Sequence, residues 1–145
     1  KEKKEEKLIH NYIYKSLKYM TLMTSILAFG LMSISDNVVW LLFGEEFKNS
    51  ANVLFLCSPT LIFMGWSSVI RTQYIIPMKK DSIYIKSITF GAIINFVLNI
   101  ILSPKYSITG AIISTLSAEL FVPFYQYIIL RNELNYKKKQ KGSAA

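Results

Sequence analysis

Long uncharged runs alternate with short charged blocks along this chain. The uncharged stretches occupy 19–35, 53–70, 88–103 and 107–117, and the last resumes after Glu119 and continues to Leu130. A helix that crosses a bilayer needs about 20 largely apolar residues, because the hydrocarbon core is about 30 Å thick and the helix rises about 1.5 Å per residue. The pattern therefore predicts four transmembrane helices, near 18–36, 52–75, 84–103 and 108–130. The expected fold class is all-α: a polytopic membrane protein whose four transmembrane helices form part of a larger helical bundle. Three regions follow, namely a charged cytoplasmic segment at 1–17, the transmembrane region at 18–131 and a basic cytoplasmic tail at 132–145. The first apolar run follows a long charged segment and has no small-residue cleavage site, so it is not expected to be a cleaved signal peptide. The closing "KKKQKGSAA" is expected to be disordered.

Polar residues inside these runs mark the faces that meet protein or water, since lipid-facing surface needs none. On the third helix Ser87, Gly91, Asn95, Asn99 and Ser103 recur every four residues. Asparagine amides left unpaired in lipid are expensive. This stripe must contact other helices or a wet cavity, and both packing and a substrate-facing lumen fit it. The first helix carries Thr21, Ser25, Ala28 and Ser35 as a small-residue packing face. The second carries Thr60, Ser67, Ser68 and Arg71, with Pro59 near its outer end. Pro59 predicts a bend there, because it cannot donate to the preceding turn. The fourth helix has a small-residue side of Gly110, Ser114 and Ser117. Roughly opposite, at about 100° per residue, lie Thr115, Glu119, Pro123 and Gln126.

A net charge of +8 raises the question of a nucleic-acid partner. The distribution of the charges answers it. They flank the apolar runs, so the bilayer is the simpler partner and no nucleic acid is expected. One side of a four-helix topology collects the opening lysines through Lys18, then Arg71, Lys79, Lys80 and Lys86, then Arg131 and the lysines of the tail. The other side has only Lys48 and Lys105. Excess Lys and Arg marks the cytoplasmic side, so both termini are expected in the cytoplasm. Tyr12, Tyr14, Tyr19, Tyr74, Tyr84, Tyr125 and Tyr127 cluster near that interface, with Trp40 and Tyr106 near the other, as aromatic belts should. Cys57 stands alone inside an apolar run, which leaves neither an internal disulfide nor a zinc cluster and reads as a small core residue. His10 has no second His or Cys to share a metal, and reads as a solvated polar residue.

Several stretches carry a family resemblance. "LLFGEEFKNSANVL" at 41–54 contains Phe43-Gly44-Glu45 and Phe47, "RTQYIIPMKKDSIYIKS" spans 71–87, and "GAIINFVLNIILSPKYSITGAIISTLSAEL" at 91–120 contributes Asn95, Asn99, Pro104, Tyr106, Gly110, Ala111 and Glu119. In this order they resemble the C-terminal part of the polysaccharide (O-antigen type) flippases, of the multidrug/oligosaccharidyl-lipid/polysaccharide exporter superfamily. The resemblance covers residues 15–132. Position 107, often Gly in the family's turn after Pro-x-Tyr, is Ser here.

Members of that family have many more helices, in two pseudo-symmetric bundles, so the resemblance implies a fragment equivalent to the last four. It further implies a flippase that moves polyprenyl-diphosphate-linked oligosaccharide repeats, as in O-antigen and lipopolysaccharide biosynthesis, across the bacterial inner membrane by alternating access. No covalent bond changes, so no enzyme activity, catalytic residue, cofactor or metal is implied. The implied partners are the lipid-linked oligosaccharide, membrane lipid and the missing N-terminal helices of the same transporter. Arg71 would meet the diphosphate, with snorkelling to lipid headgroups as the alternative, while Asn95, Asn99 and Ser67 would meet sugar hydroxyls. Glu119 would be a lumenal acid coupling transport to protons or sodium, with Thr115 and Gln126 as hydrogen-bonding neighbours.

Two other classes compete. A membrane sugar-phosphate transferase would need clustered carboxylates or His, yet Asp36, Glu45, Glu46 and Asp81 fall in loops on opposite sides. A small four-helix multidrug transporter acting as a dimer would also use one intramembrane Glu. Such chains carry it on the first helix and lack long charged extensions.

Overall fold

The computed structural model of the chain describes the backbone of residues 2–142 and the side chains of residues 11–133 other than Asn49. His10 and the tail beyond Glu133 therefore lie outside the described side chains. All regular structure among the described residues is helical. Helix α1 (Glu2–Ser33) carries the first apolar run and starts well before it, so the charged opening segment is helix. At its end the Ser33 hydroxyl donates to the Phe29 carbonyl at 2.8 Å and the Ser35 hydroxyl to Met32 at 3.1 Å. Hydroxyls that bond back onto the preceding turn bend helices. Helix α2 (Ser35–Phe43) accordingly leaves α1 at 65°. The connection expected as a loop after residue 36 is thus α2 followed by a 3₁₀ turn, Glu45–Ser50.

Helices α3 (Ala51–Cys57) and α4 (Thr60–Ile70) are separated at the proline, as the sequence predicts. Pro59 offers no N–H to the Phe55 carbonyl. The Ser58 amide reaches that carbonyl instead, at 3.3 Å, and the Thr60 hydroxyl takes up the Cys57 carbonyl at 2.7 Å. A π-turn, Arg71–Ile75, continues α4. The whole stretch Ala51–Ile75 is long and apolar enough to cross a membrane.

Helix α5 (Asp81–Gly142) folds back on itself at Ser107, whose φ of 51° and ψ of −130° interrupt it. Ser87 meets Gln126, Gly91 faces Val122 and Asn95 meets Thr115, so the arms 81–106 and 108–142 run antiparallel. Each arm exceeds the roughly 20 residues a span needs. The hairpin thereby divides the stretch into two helical arms that meet at Ser107. Left-handed backbone costs an ordinary residue about 1–2 kcal/mol, which is why glycine suits position 107. Ser107 keeps the conformation regardless. Gly110 lets the arms close, because a side chain there would run into the Leu102 carbonyl. The second arm continues as helix to Gly142, into the closing segment expected to be disordered.

Helix α4 lies between α1 and the α5 hairpin. Toward α1, a Cβ on Gly65 would sit 2.8 Å from Thr24 Cγ2, so only glycine permits this approach. Trp66 Nε1 donates to Thr21 Oγ1 at 2.8 Å and Gln73 Nε2 to Ser16 Oγ at 2.5 Å, which makes the two helices antiparallel. The packing face of α1 therefore includes Thr24, which the expected Thr21–Ser25–Ala28–Ser35 face omits; Ala28 and Ser35 are buried as anticipated. Ile13, Ile70, Tyr74, Ile75 and Leu130 form one apolar cluster at the end where the 76–80 turn lies. There the Tyr74 hydroxyl donates to the Glu133 carboxylate, which also pairs with Lys80. Lys79, Lys80, Lys86 and Arg131 thus gather at one end of the helices, with Lys48 and Lys105 at the other. Asp81–Glu133 is also long and apolar enough to cross a membrane, and Asn11–Ser33 with Ser35–Phe43 is so when the bent pair is taken together. The chain is an all-α, multi-pass membrane protein.

Candidate functional site

A groove of about 1210 Å³ opens between α4 and the α5 hairpin. Ser67 and Arg71 line it from α4 and the π-turn, Asn95 and Asn99 from the first arm, and Glu119 from the second. Five of the seven residues singled out in the sequence therefore share one wall. Thr115 and Gln126 do not line it, and act on residues that do.

Arg71 opens the π-turn, the kind of helix irregularity that often marks functional sites. Its guanidinium carbon stands 4.3 Å above the Tyr84 ring centroid, a cation–π arrangement. No ion pair among the described residues engages it. Among the described residues Arg71 is the only basic one lining the groove, and Glu119 the only acidic one. Tyr84 reads in the sequence only as part of an aromatic belt. No spacing rule links it to Arg71, because the contact joins two helices across a turn.

The polar stripe of the third span divides in two. Gly91, Asn95, Asn99 and Ser103 line the groove, whereas Ser87 is fully buried outside it. Asn95 Nδ2 donates to Thr115 Oγ1 at 3.2 Å, and Thr115 donates in turn to the Ala111 carbonyl at 3.1 Å. The Ser103 hydroxyl donates to the Asn99 carboxamide oxygen. These bonds fix both side chains while Asn95 Oδ1 and Asn99 Nδ2, among the described residues, have no hydrogen-bond partner. One acceptor and one donor are thus free at the groove wall, a pairing that suits hydroxyl groups.

Thr115 and Gln126 are expected from helical phase to hydrogen-bond Glu119. The structure corrects this. Thr115 holds Asn95, and Gln126, only 1% exposed, joins three helical segments. Its Oε1 accepts from Ser67 Oγ at 3.2 Å, its Nε2 donates to Ser87 Oγ at 2.9 Å, and Ser87 donates to the Tyr84 carbonyl at 2.7 Å. The arms and α4 converge at this level, where an unpaired amide would be costly. Helical phase reports a shared face of one helix, not which neighbour approaches it. Glu119 itself is half-buried and lines the groove with no described hydrogen-bond partner. Among the described residues no group of three or more His, Cys, Asp or Glu is placed to hold a metal, and Cys57 is half-buried.

No family model and no solved structure matches the chain. It is similar to a probable lipid II flippase of Thermotoga maritima, 26% identical over 137 residues that cover 90% of this chain and 28% of that protein. It is also similar to a probable low-salt glycan biosynthesis flippase of Haloferax volcanii, 25% identical over 113 residues that cover 78% of this chain and 24% of that protein. The chain thus spans about a quarter of the length of these curated relatives. Both names describe flippases, one of lipid II and one of low-salt glycan biosynthesis, which are transporters and not enzymes. Neither specifies an O-antigen substrate.

Proposed function

We propose that this chain forms one wall of the translocation pathway of a flippase for polyprenyl-diphosphate-linked oligosaccharides. The observation that carries the reading is the convergence of Ser67, Arg71, Asn95, Asn99 and Glu119, from three helical segments, on one groove. Arg71 meets the diphosphate, the two asparagines and Ser67 meet sugar hydroxyls, and Glu119 takes up the coupling ion. Helices beyond these four close the open side of the groove, and the assembly alternates access to the two leaflets. If the asparagines contact sugar, Asn95→Ala or Asn99→Ala in the transporter should lower flipping while protein abundance in the membrane stays normal. Each lost hydrogen bond to a neutral group is worth about 0.5–1.5 kcal/mol, so a drop of roughly two- to tenfold is expected. Abundance falling in step with flipping would make the stripe a packing surface and remove the sugar contact.

The membrane we assign is the bacterial inner membrane, with both termini cytoplasmic, because the lysine-rich turn and the C-terminal arm share one end of the helices. In a Cys57→Ala background, a cysteine at Ser107 should react with an impermeant thiol reagent added outside, and one at Lys79 should not. The reverse pattern would invert the orientation.

A further inference from the structure

A second groove, of about 820 Å³, lies between α1, α4 and the second arm of α5. It shares no lining residue with the first. Along most of its length the wall is hydrocarbon, from Leu22, Ile70, Leu120 and Phe124. Among the described residues one charged side chain lines it, Lys18, and no carboxylate does.

The helix register places that lysine. Thr21 is level with Trp66, and Ser16 with Gln73, so Lys18 lies toward the end of the bundle that holds Tyr74, Lys80 and Glu133. Tyr14 and Tyr127 line the same end, whereas Leu22 and Leu120 lie deeper. Two more exposed cations neighbour this mouth by helical spacing: Lys15 is three residues from Lys18, and Arg131 is four from Tyr127. The groove is therefore polarised, with a cationic, tyrosine-rich mouth and an apolar interior.

We propose that this groove binds a phospholipid with an anionic headgroup, one acyl chain lying between α1 and the second arm of α5 and the phosphate seated on Lys18. The tyrosines then sit at headgroup depth, where their ring and hydroxyl suit the two environments. A protein helix packed into the groove would bury Lys18 against apolar surface without a counter-charge, at considerable cost. An anionic headgroup offers that counter-charge, and basic pockets between spans at the membrane surface suit such lipids.

Trp66 makes the proposal testable, because it lines the groove about one turn deeper than Lys18. The chain has 2 tryptophans, so Trp40→Phe leaves Trp66 as the sole tryptophan, and excitation at the red edge, beyond tyrosine absorption, reads it selectively. This protein is reconstituted in phosphatidylcholine with a small fixed fraction of lipid brominated in the upper half of one acyl chain. Brominated phosphatidylglycerol should quench Trp66 more effectively than brominated phosphatidylcholine, with an apparent preference of about fivefold. Lys18→Gln should bring the preference close to unity, Lys18→Arg should keep it, and Lys48→Gln, at the opposite end, should leave it unchanged. Circular dichroism of each variant confirms that the helices persist. Equal quenching by both lipids would reduce the occupant to ordinary annular lipid and overturn the proposal. So would a preference that survives Lys18→Gln, and so would an absence of quenching by either lipid, which would mean that protein fills the groove.

Discussion

Arg71→Lys is expected to lower export by roughly tenfold or more with the protein still inserted at normal abundance. The charge survives this change; the planar fork that grips two phosphate oxygens does not. A hydrogen bond to a charged group is worth about 1.5–3 kcal/mol, and about 1.4 kcal/mol is tenfold. Tyr84 refines the test. The ring lies 4.3 Å below the guanidinium and holds it in the groove, away from the lipid headgroups that a free arginine would seek by snorkelling. Such contacts contribute about 0.5–2 kcal/mol, so Tyr84→Leu should lower export several-fold and Tyr84→Phe, which keeps the ring face, should restore it. Purified protein titrated with a soluble diphosphate should show the same order of variants in apparent affinity. Normal export by both Arg71→Lys and Tyr84→Leu would assign Arg71 to the headgroups and leave the diphosphate without its partner here.

The parts of this fold legible in the sequence are those set by composition along one helix. Uncharged runs and their flanking lysines reveal the spans, because desolvating charge is costly wherever the fold places the helix. Pro59 announces the break between α3 and α4 because the missing N–H acts within one turn. Asn95, Asn99 and Glu119 announce a polar face for a similar reason: each is too expensive to leave against lipid. What escapes the sequence depends on which helix comes alongside. Gln126 and Glu119 share a phase on the fourth span, yet Gln126 meets Ser67 and Ser87 while Glu119 meets the groove. Thr24 looks no more prominent than Ser25 until Gly65 brings α4 against it. The bend after Ser33 is hidden because apolar residues resume just beyond Asp36 and Asn37, from Val38 to Phe43, and the hydroxyls that cause it also occur in straight helices.

The sharpest expected loss is at Glu119. Glu119→Gln should abolish gradient-driven export while the protein inserts and accumulates as before. An ionised carboxylate near the middle of a span costs about 2.5–3.5 kcal/mol on insertion scales, and that cost can be offset by a wet cavity, by protonation or by a bonded neighbour. The third route finds no support among the described residues. Thr115 and Gln126 are engaged elsewhere, and the carboxylate lines the open groove with no hydrogen-bond partner among the described residues. A group there can exchange with water and take up or release an ion as access alternates. Glutamine keeps the shape and the hydrogen-bonding capacity but neither exchanges a proton nor carries the charge that a sodium ion requires. Glu119→Asp, which retains the carboxylate one methylene shorter, should keep part of the export. Exchange of substrate between leaflets without a gradient should survive Glu119→Gln, since the sugar and diphosphate contacts we propose involve other residues. Full gradient-driven export by the Gln variant would instead make the carboxylate dispensable, and the coupling ion would have to bind outside these four spans.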